Sequence, residues 1–466
     1  MKKWDVIVIG GGGTGITAAF TAKGFGKKTL LIEKDKMGGE CTWNGCIPSK
    51  SLINIAHKSH VTKLMTGSFP DLKNTMKTIK AVQNNVFHHE SPEVLEDKGI
   101  DYINGISSFT DKNTVNVNGE EITAKKFIIA TGTSPMVPPI KGIESVPYLT
   151  NETIFKIDKL PQSIIILGGG PIGVELGQAL NRLGVTVTII ERNNRILPRD
   201  EVEFSERMSS ILLKEGVKIE VNANADKVGK NGKSIILTAA RNNEKFNVEA
   251  EQILVAVGRK ANLELLNLVK AGVETHPRGI TVNKYLQTTN SSIYAAGDIT
   301  GPFLFSHMAE YQGKTAAMNA ILPWKSKVNY KHIAWTTFTE PEMAHAGLTE
   351  ADFLPSKVRV FKYDFEDLDR TMTHPGESGL LKIVCDKKYK IVGASIIGPR
   401  AGELIGEIQI LKTLGIPLTK AVNVIHPYPT YADIIRQIAK KAYLDKVLNN
   451  PIVKFLQFFK KVNNNA

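Results

Sequence analysis

Residues Asp5 to Lys34 and Ser163 to Arg192 align without a gap at one constant offset, so the same unit is written twice in this chain. Each copy begins with an aliphatic strand (Val6–Ile9; Ile164–Leu167) and turns on glycines. Each then runs through a helix-compatible stretch to Gly26 or Gly184 and closes on a second strand ending in an acid (Leu30–Glu33; Val187–Glu191). Strand, helix and strand in that order lay two parallel strands side by side, and two such units predict two dinucleotide folds.

The turns read Gly10-x-Gly12-x-x-Gly15 and Gly168-x-Gly170-x-x-Gly173. In such a turn the first glycine permits the tight bend, the second lets backbone approach a pyrophosphate, and the third lets the helix pack on the sheet. The helix start adds unpaired N–H groups and a partial positive charge. A lone motif of this kind is weak, but here Glu33 and Glu191 each follow eighteen residues after the last glycine, where a carboxylate can accept from ribose hydroxyls. Two cradles suit one held flavin and one exchanging nicotinamide. Glu191 would repel a 2′-phosphate and so favours NADH, with Arg192 and Arg195 close by as a counterweight.

One short loop past the first unit lies Gly38-Gly39-Glu40-Cys41-Thr42-Trp43-Asn44-Gly45-Cys46-Ile47-Pro48-Ser49-Lys50. The 466 residues hold 3 cysteines, and two of them stand in this run. A bridge closing so short a loop adds little stability to a large chain, and no export signal points to an oxidising compartment, so the pair is assigned redox chemistry. Two thiols without a neighbouring third or fourth ligand cannot fill a zinc site, and no resident metal is expected. Cys46 opens a helix-like stretch four residues before Lys50, both of which lower a thiol pKa. Cys41, further out, is the better candidate to exchange with substrate. Cys385, alone in an apolar run, reads as a core thiol.

Hydrophobic content of 42% and charged content of 23% are those of an ordinary globular chain, long enough for two to four domains. The net charge of +13 is spread along the sequence rather than blocked, so no nucleic-acid partner is expected. The run Val6–Ile9 is too short for a signal peptide or a membrane span, which makes the cytoplasm the expected compartment. From Tyr443 to Lys461, apolar residues alternate with lysines as in a short amphipathic helix. Packing on the chain's own body or on a second subunit is expected there, rather than membrane contact.

Residues 51–99 read as helical, 100–130 as short strands ending in Ala130-Thr131-Gly132, and 250–257 as a strand ending in Gly258-Arg259. Ile293 to Asp298 leads into a further helix, and from about 330 the pattern turns to alternating strands with two helices. The fold class is therefore α/β: two Rossmann-like dinucleotide-binding domains followed by an α+β domain. The expected boundaries are 1–150 (FAD, first part), 151–270 (NAD(P)), 271–328 (FAD, central segment) and 329–466.

Taken together, Gly10 to Gly15, Gly38 to Lys50, Ala130-Thr131-Gly132, Gly168 to Glu175, Gly258-Arg259 and Ala296-Gly297-Asp298 resemble the pyridine nucleotide–disulfide oxidoreductases, the class I flavoprotein disulfide reductases. These include dihydrolipoyl dehydrogenase, glutathione reductase and mercuric reductase. The resemblance runs from residue 4 to about 440. It implies FAD on the first cradle and NAD(P)H on the second, with Asp298 at the ribityl chain and the helix starting near Ser306-His307 aimed at the flavin ring. Cys46 is implied as the thiolate beside the flavin, Cys41 as the interchange thiol, and Lys50 as a flavin neighbour paired with Glu175. A homodimer is implied, the C-terminal domain of each subunit completing its partner's site.

Disulfide-reducing members carry His-Pro-Thr-x-x-Glu in that domain, the histidine serving as acid–base and the glutamate orienting it. Here the run is Ile425-His426-Pro427-Tyr428-Pro429-Thr430-Tyr431-Ala432-Asp433, which puts Tyr428 at the histidine position and Asp433 at the glutamate position. Unperturbed tyrosine and histidine differ by about 3.5 pKa units, so Tyr428 is a poor proton shuttle at neutral pH. Mercuric reductases make the same replacement, yet they end in a vicinal cysteine pair, and this sequence ends in Val462-Asn463-Asn464-Asn465-Ala466 without one. The resemblance thus implies a mercuric reductase-like enzyme with a small-molecule or metal-ion acceptor left open. A dihydrolipoyl dehydrogenase- or glutathione reductase-type enzyme is the alternative, and a flavin-bound redox sensor is the rival from another class. His426 is assigned a structural role, with a substitute base as the other reading.

Overall fold

The computed structural model describes residues 3–455. The first repeat supplies β1 (Lys3–Ile9), α1 (Gly13–Gly24) and β2 (Thr29–Glu33); the second supplies β9 (Ser163–Leu167), α6 (Pro171–Arg182) and β10 (Thr186–Ile190). The copies share one register. Val6 pairs Thr29 and Ile7 pairs Leu30 in parallel, and at equivalent positions Ile164 pairs Val187 and Ile165 pairs Thr188.

Contacts group the chain into two units, Met1–Ile196 with Leu213–Asn329 and Leu197–Leu212 with Tyr330–Ala466. In the first, α2 (Gly39–Trp43), α3 (Cys46–Thr66), α4 (Thr75–Phe87) and α5 (Pro92–Asp97) precede β3 (Asp101–Asn104). With β4 (Ser107–Phe109), β5 (Thr114–Val117) and β6 (Glu120–Ile129) they build a sheet ordered β3-β2-β1-β6-β5-β4, in which β19 (Ile293–Ala295) also pairs with β6. The β1 strand is buried on both faces, so it reads as an unbroken aliphatic run rather than an alternation. Ile7 and Ile9 join Leu30, Ile32 and Phe127 on one side. Val6 and Val8 join Leu31, Ile128 and the alanines of α1 and α8 (Ser306–Ile321) on the other.

The second parallel sheet is ordered β11-β10-β9-β15-β8, with β8 (Tyr148–Leu149), β15 (Gln252–Val255) and β11 (Lys218–Glu220), which α7 (Val202–Lys214) precedes. An antiparallel trio of β12 (Asn224–Asn231), β13 (Ser234–Arg241) and β14 (Glu244–Ala250) stands beside it in sequence. Two small pairs complete the unit: β7 (Thr133–Pro135) with β16 (Arg259–Ala261), and β17 (Thr275–His276) with β18 (Gly279–Ile280).

In the second unit β20 (Ala334–Thr337), β21 (Glu342–Gly347), β22 (Arg359–Asp364), β23 (Leu380–Cys385) and β24 (Ile391–Gly398) form an antiparallel sheet ordered β20-β21-β24-β23-β22. Short α9 (Asp369–Met372) is followed by α10 (Ala401–Thr413) and α11 (Asp433–Leu448), whose isoleucines pack with Leu381, Ile383 and Ile396 of the sheet. Cys385 lies fully buried in that core, and burial pushes its thiol well up. Glu201, just before α7, is buried and accepts from the buried Lys382, which also reaches Glu350 at 2.5 Å. A buried charge persists only with such a partner, and removing either one would strand the other.

The inner face of α11 is sealed by Ile434, Ile435, Ile438, Ala439 and Ala442, while Leu444 and Leu448, and Ile452 in the helical residues that follow, stay more than half exposed. These three do not pack on the chain's own body; Phe458, Phe459 and the final lysines lie outside the described residues. Among the described residues no helix is long and apolar enough to cross a membrane.

Candidate active site

The loop carrying the cysteines is built onto the first glycine cradle. Gly38 and Gly39 take left-handed backbone (φ 90° and 60°), Gly38 N–H donates to the Gly11 carbonyl at 2.9 Å, and a Cβ on Gly39 would fall 2.7 Å from Gly12 Cα. Only glycine permits that bend and that approach together. Cys41 therefore sits on α2 directly beside the cradle, and Cys46 is the first residue of α3.

The two sulfurs lie 3.4 Å apart, unbonded, and short enough to close a disulfide on oxidation. Cys46 is exposed and Cys41 half-buried. Donation from the Cys41 thiol holds the Cys46 thiol down at about 6, opposed by burial and helped by Ser306 and the Lys50 charge. The same contact, together with burial, pushes the Cys41 thiol far up. One sulfur is thus primed as thiolate and its neighbour holds the proton. Lys50 Nζ pairs with the buried Glu175 carboxylate at 2.7 Å, so the cation that follows Cys46 on α3 is tied to α6 of the second repeat.

Three residues take roles that the sequence did not assign to them. Ser306, at the start of α8, places Oγ 2.6 Å from Cys41 Sγ and 3.3 Å from Cys46 Sγ. Glu40, next to Cys41, receives the Arg259 guanidinium on both oxygens and Asn151 Nδ2 at 2.5 Å. Arg259 also donates to Thr133 Oγ1 at 2.7 Å and lies 4.0 Å from Asp298. Burial pushes the Glu40 and Asp298 carboxyls up, against the pull of Arg259 on each. Gly258 immediately precedes this arginine, and Gly132 (φ 63°) precedes the β7 strand that pairs with it, so both glycine signals mark the turns that deliver the cluster.

Both cradles fit a dinucleotide. A Cβ on Gly12 would come no nearer than 3.7 Å to a neighbour and one on Gly170 would meet nothing within 4 Å, leaving the starts of α1 and α6 open. By contrast a Cβ on Gly15 or Gly173 would fall 1.8 or 2.0 Å from the carbonyl of Gly10 or Gly168, themselves left-handed at φ 111° and 104°. The acids behave alike: Glu33 accepts from Gly11 N–H at 2.5 Å and Asp35 N–H at 2.7 Å, and Glu191 from Gly169 N–H and Asn193 N–H, both at 2.7 Å. Each straps its own glycine turn. A carboxylate has about four acceptor sites, so capacity remains for a ribose hydroxyl.

In the second unit Tyr428 and Asp433, aligned with the histidine and glutamate of the family motif, each take other partners. Tyr428 is 70% exposed and donates its hydroxyl to Asp369 at 3.0 Å, an acceptor that pushes the phenol pKa up. Asp433, buried at the start of α11, accepts instead from Arg436 Nε at 2.5 Å and Gln437 at 2.7 Å. Aspartate is one methylene shorter than glutamate, and an arginine one helical turn on captures it. His426 is engaged at both ring nitrogens, Nε2 with Glu407 at 2.9 Å and Nδ1 with the Val424 carbonyl at 3.2 Å.

Comparison with known proteins bears on this arrangement. The pyridine nucleotide-disulphide oxidoreductase family matches residues 4–320, and the dimerisation domain of the same family matches 333–439. Mercuric reductase of Bacillus cereus is 35% identical over 441 residues, 92% of this chain and 70% of the relative. Dihydrolipoyl dehydrogenase of Thermus scotoductus is 34% identical over 455 residues, 94% and 97% respectively. Among solved structures, a Cu(II) complex of the HOCl-induced flavoprotein disulfide reductase RclA from Escherichia coli aligns with TM-score 0.86 and 26% identity, covering 95% of this chain and all of that one. The dimerisation domain implies a homodimer, and the family is one of FAD- and NAD(P)H-using enzymes. With both family segments matched over nearly the whole described chain and the paired cysteines at its first cradle, this protein belongs to the pyridine nucleotide-disulphide oxidoreductases.

Proposed function

We propose that the enzyme uses NADH to reduce a soft or redox-active metal ion at Cys41 and Cys46, in a reducing cytoplasm. Gly10, Gly12, Gly15, Glu33, Gly132 and Asp298 would hold FAD, and Gly168, Gly170, Gly173, Glu191 and Gly258 the nicotinamide nucleotide. Bound FAD supplies two-electron transfer between the nicotinamide and the sulfur pair. The chain's own part follows from its residues. The N-terminus of α3, Lys50 and the Cys41 proton hold Cys46 as thiolate, while Ser306 contacts both sulfurs and Glu175 keeps Lys50 in place. A dithiol losing its two protons grips a soft cation through two sulfurs. Closing the disulfide releases two electrons, enough to take one Hg(II) to the metal or two Cu(II) to Cu(I).

The observation that carries the choice of acceptor is Tyr428. Exchange with a dithiol or disulfide substrate needs a proton moved at every turn, and the dimerisation domain offers an exposed phenol tied to Asp369 and a histidine engaged at both nitrogens. A metal ion needs no such shuttle. Steady-state NADH oxidation by the purified holoenzyme with lipoamide, glutathione disulfide, Hg(II), Cu(II) and quinones tests this. Metal-ion turnover should exceed disulfide turnover by about a hundredfold, the scale of a lost acid–base group. Faster reduction of lipoamide or glutathione disulfide sinks the proposal, and silence with every acceptor turns the argument to the redox sensor.

Two outcomes follow for variants and cofactors. Tyr428→His should raise lipoamide reduction about tenfold or more while leaving metal-ion turnover within twofold, measured as kcat/KM for each. The gain should stay short of a full acid–base site, because Asp433 remains held by Arg436 and Gln437. In the wild type, kcat/KM for NADH should exceed that for NADPH by at least about tenfold, since a 2′-phosphate would meet the Glu191 carboxylate. Equal use of the two nucleotides would mean that Arg192 and Arg195 dominate the pocket.

A further inference from the structure

We infer that Glu40 is a positioning residue: it fastens the turn carrying Cys41 to the chain segments leading into and out of the second repeat, and so sets that sulfur against Cys46. This rests on the reading of the two cysteines as the redox pair, and not on which acceptor they serve. The turn cannot hold itself. The α2 helix spans only Gly39–Trp43 and starts from two left-handed glycines, and a helix so short has no stability of its own. Its shape is set by what it grips. Thr42 donates to Glu90 at 2.7 Å, and Trp43 donates from Nε1 to the Met37 carbonyl at 2.7 Å, while its own carbonyl accepts from Gln83 at 2.6 Å. Those three partners all precede β3. Glu40 reaches further.

Its two partners stand where the chain enters and leaves the second repeat. Asn151 lies before β9, and Arg259 follows β15. The buried Asn151 side chain donates to Glu40 at 2.5 Å and to the Asn44 carbonyl at 3.2 Å, so one amide braces both ends of the turn around Cys41. Arg259, its side chain 11% exposed, grips both Glu40 oxygens and donates to the hydroxyl and carbonyl of Thr133, on the strand paired with its own. A two-pronged pair of this kind fixes angle as well as distance. Cys46 has its own tie to the second repeat, because Lys50 on the same helix pairs with Glu175 of α6 at 2.7 Å. The 3.4 Å gap between the sulfurs therefore depends on two ion pairs, one behind each cysteine. Without Glu40 the guanidinium has Asp298, 4.0 Å away, to turn to, and α2 keeps only its contacts ahead of β3.

Glu40→Ala, Glu40→Gln and Asn151→Ala holoenzymes are compared with the wild type by two readings that need no acceptor. The first is the equilibrium with oxidised dithiothreitol, in which the Cys41 and Cys46 thiols give two electrons and two protons to open the reagent's disulfide as their own closes. The second is the pH at which iodoacetamide begins to alkylate Cys46 in the reduced protein. In Glu40→Ala the closure constant should fall about tenfold or more, and the onset should rise by about one pH unit, because the Cys41 thiol no longer faces Cys46. Glu40→Gln, which can still accept from Asn151 and Arg259, should stay within about threefold of the wild type in closure. Asn151→Ala should move both readings in the same direction as Glu40→Ala, and it decides the matter if Glu40→Ala yields no folded protein. The inference falls if closure and onset in Glu40→Ala match the wild type. It falls equally if only the melting temperature drops, since Glu40 would then serve stability alone. A wild type whose cysteines neither close nor react below about pH 8 would bring down the reading of the redox pair itself, and this inference with it.

Discussion

Cys46→Ser abolishes acceptor reduction, by about a thousandfold or more, while the protein keeps its flavin. The size follows from the sulfur's position. Cys46 is the member of the pair held near pKa 6, because the neighbouring Cys41 thiol, 3.4 Å away, donates into it and Lys50 lies one helical turn on. Serine at that place has no accessible anion near neutral pH and cannot close a disulfide, so both electron storage and metal grip are lost together. Cys41→Ser should lose turnover comparably but retain the thiolate signature. In the wild type reduced anaerobically with NADH, a long-wavelength thiolate–flavin absorption should grow as pH rises through about 6, since the thiolate is the form present above that value. The rate of alkylation by iodoacetamide in the reduced protein should turn on over the same interval, and Cys41, whose thiol is pushed up, should react only after Cys46 is blocked. The sign for stability is the same. A folded value below the ordinary thiol value of about 8.5 means the fold favours the anion, and that contribution is complete above about 8.5 and fades as pH falls toward 6. A Cys46→Ser protein that kept the absorption, or a wild type whose alkylation rate first rose near pH 8.5, would contradict this assignment.

How far the sequence alone reached depended on the distance over which each interaction acts. The duplicated unit was legible as strand, glycine turn, helix and strand, because aliphatic runs, glycine turns and terminal acids are all local signals repeated in the same order, and the two copies share one register in the fold. Even the carboxylate straps repeat at equivalent positions, Glu33 on Gly11 and Glu191 on Gly169. The cysteine pair was legible as chemistry because two thiols stand in one turn of a chain otherwise nearly free of them. What could not be read were contacts made across hundreds of residues by side chains with many possible partners. Ser306 meets Cys41 only because α8 begins beside α2, and Arg259 meets Glu40 only because β16 pairs with β7. The partners of Tyr428 and Asp433 were not legible either: Asp369 accepts from the tyrosine hydroxyl, and Arg436, one helical turn on, donates to the shorter aspartate.

The glycines divide into two kinds, and substituting alanine should separate them. At Gly15 a Cβ would lie 1.8 Å from the Gly10 carbonyl oxygen, less than a van der Waals contact by well over an ångström. Gly10 cannot retreat: its N–H donates to the Ile32 carbonyl at 2.8 Å, and on its other side the Ala130 carbonyl stands where its own Cβ would go. Gly15→Ala must therefore lift α1 off the sheet at the point where Val8 and the alanines of α1 share a core. Overpacking of that kind costs about 3 kcal/mol and can exceed it, and the cradle would be deformed as well. Little soluble, flavin-bearing protein is expected, with a lowered melting temperature in whatever survives. Gly170 has a backbone any residue can adopt (φ −76°) and nothing within 4 Å of a Cβ. Gly170→Ala should fold and retain its flavin, yet place a methyl group in the open space before α6 where a pyrophosphate would approach the backbone. The KM for NADH should rise about tenfold or more with flavin content unchanged. An unaltered KM would mean that the nicotinamide nucleotide does not lie against the start of α6. A Gly15→Ala protein with full flavin and wild-type stability would mean that the contact between helix and turn is far softer than its geometry requires.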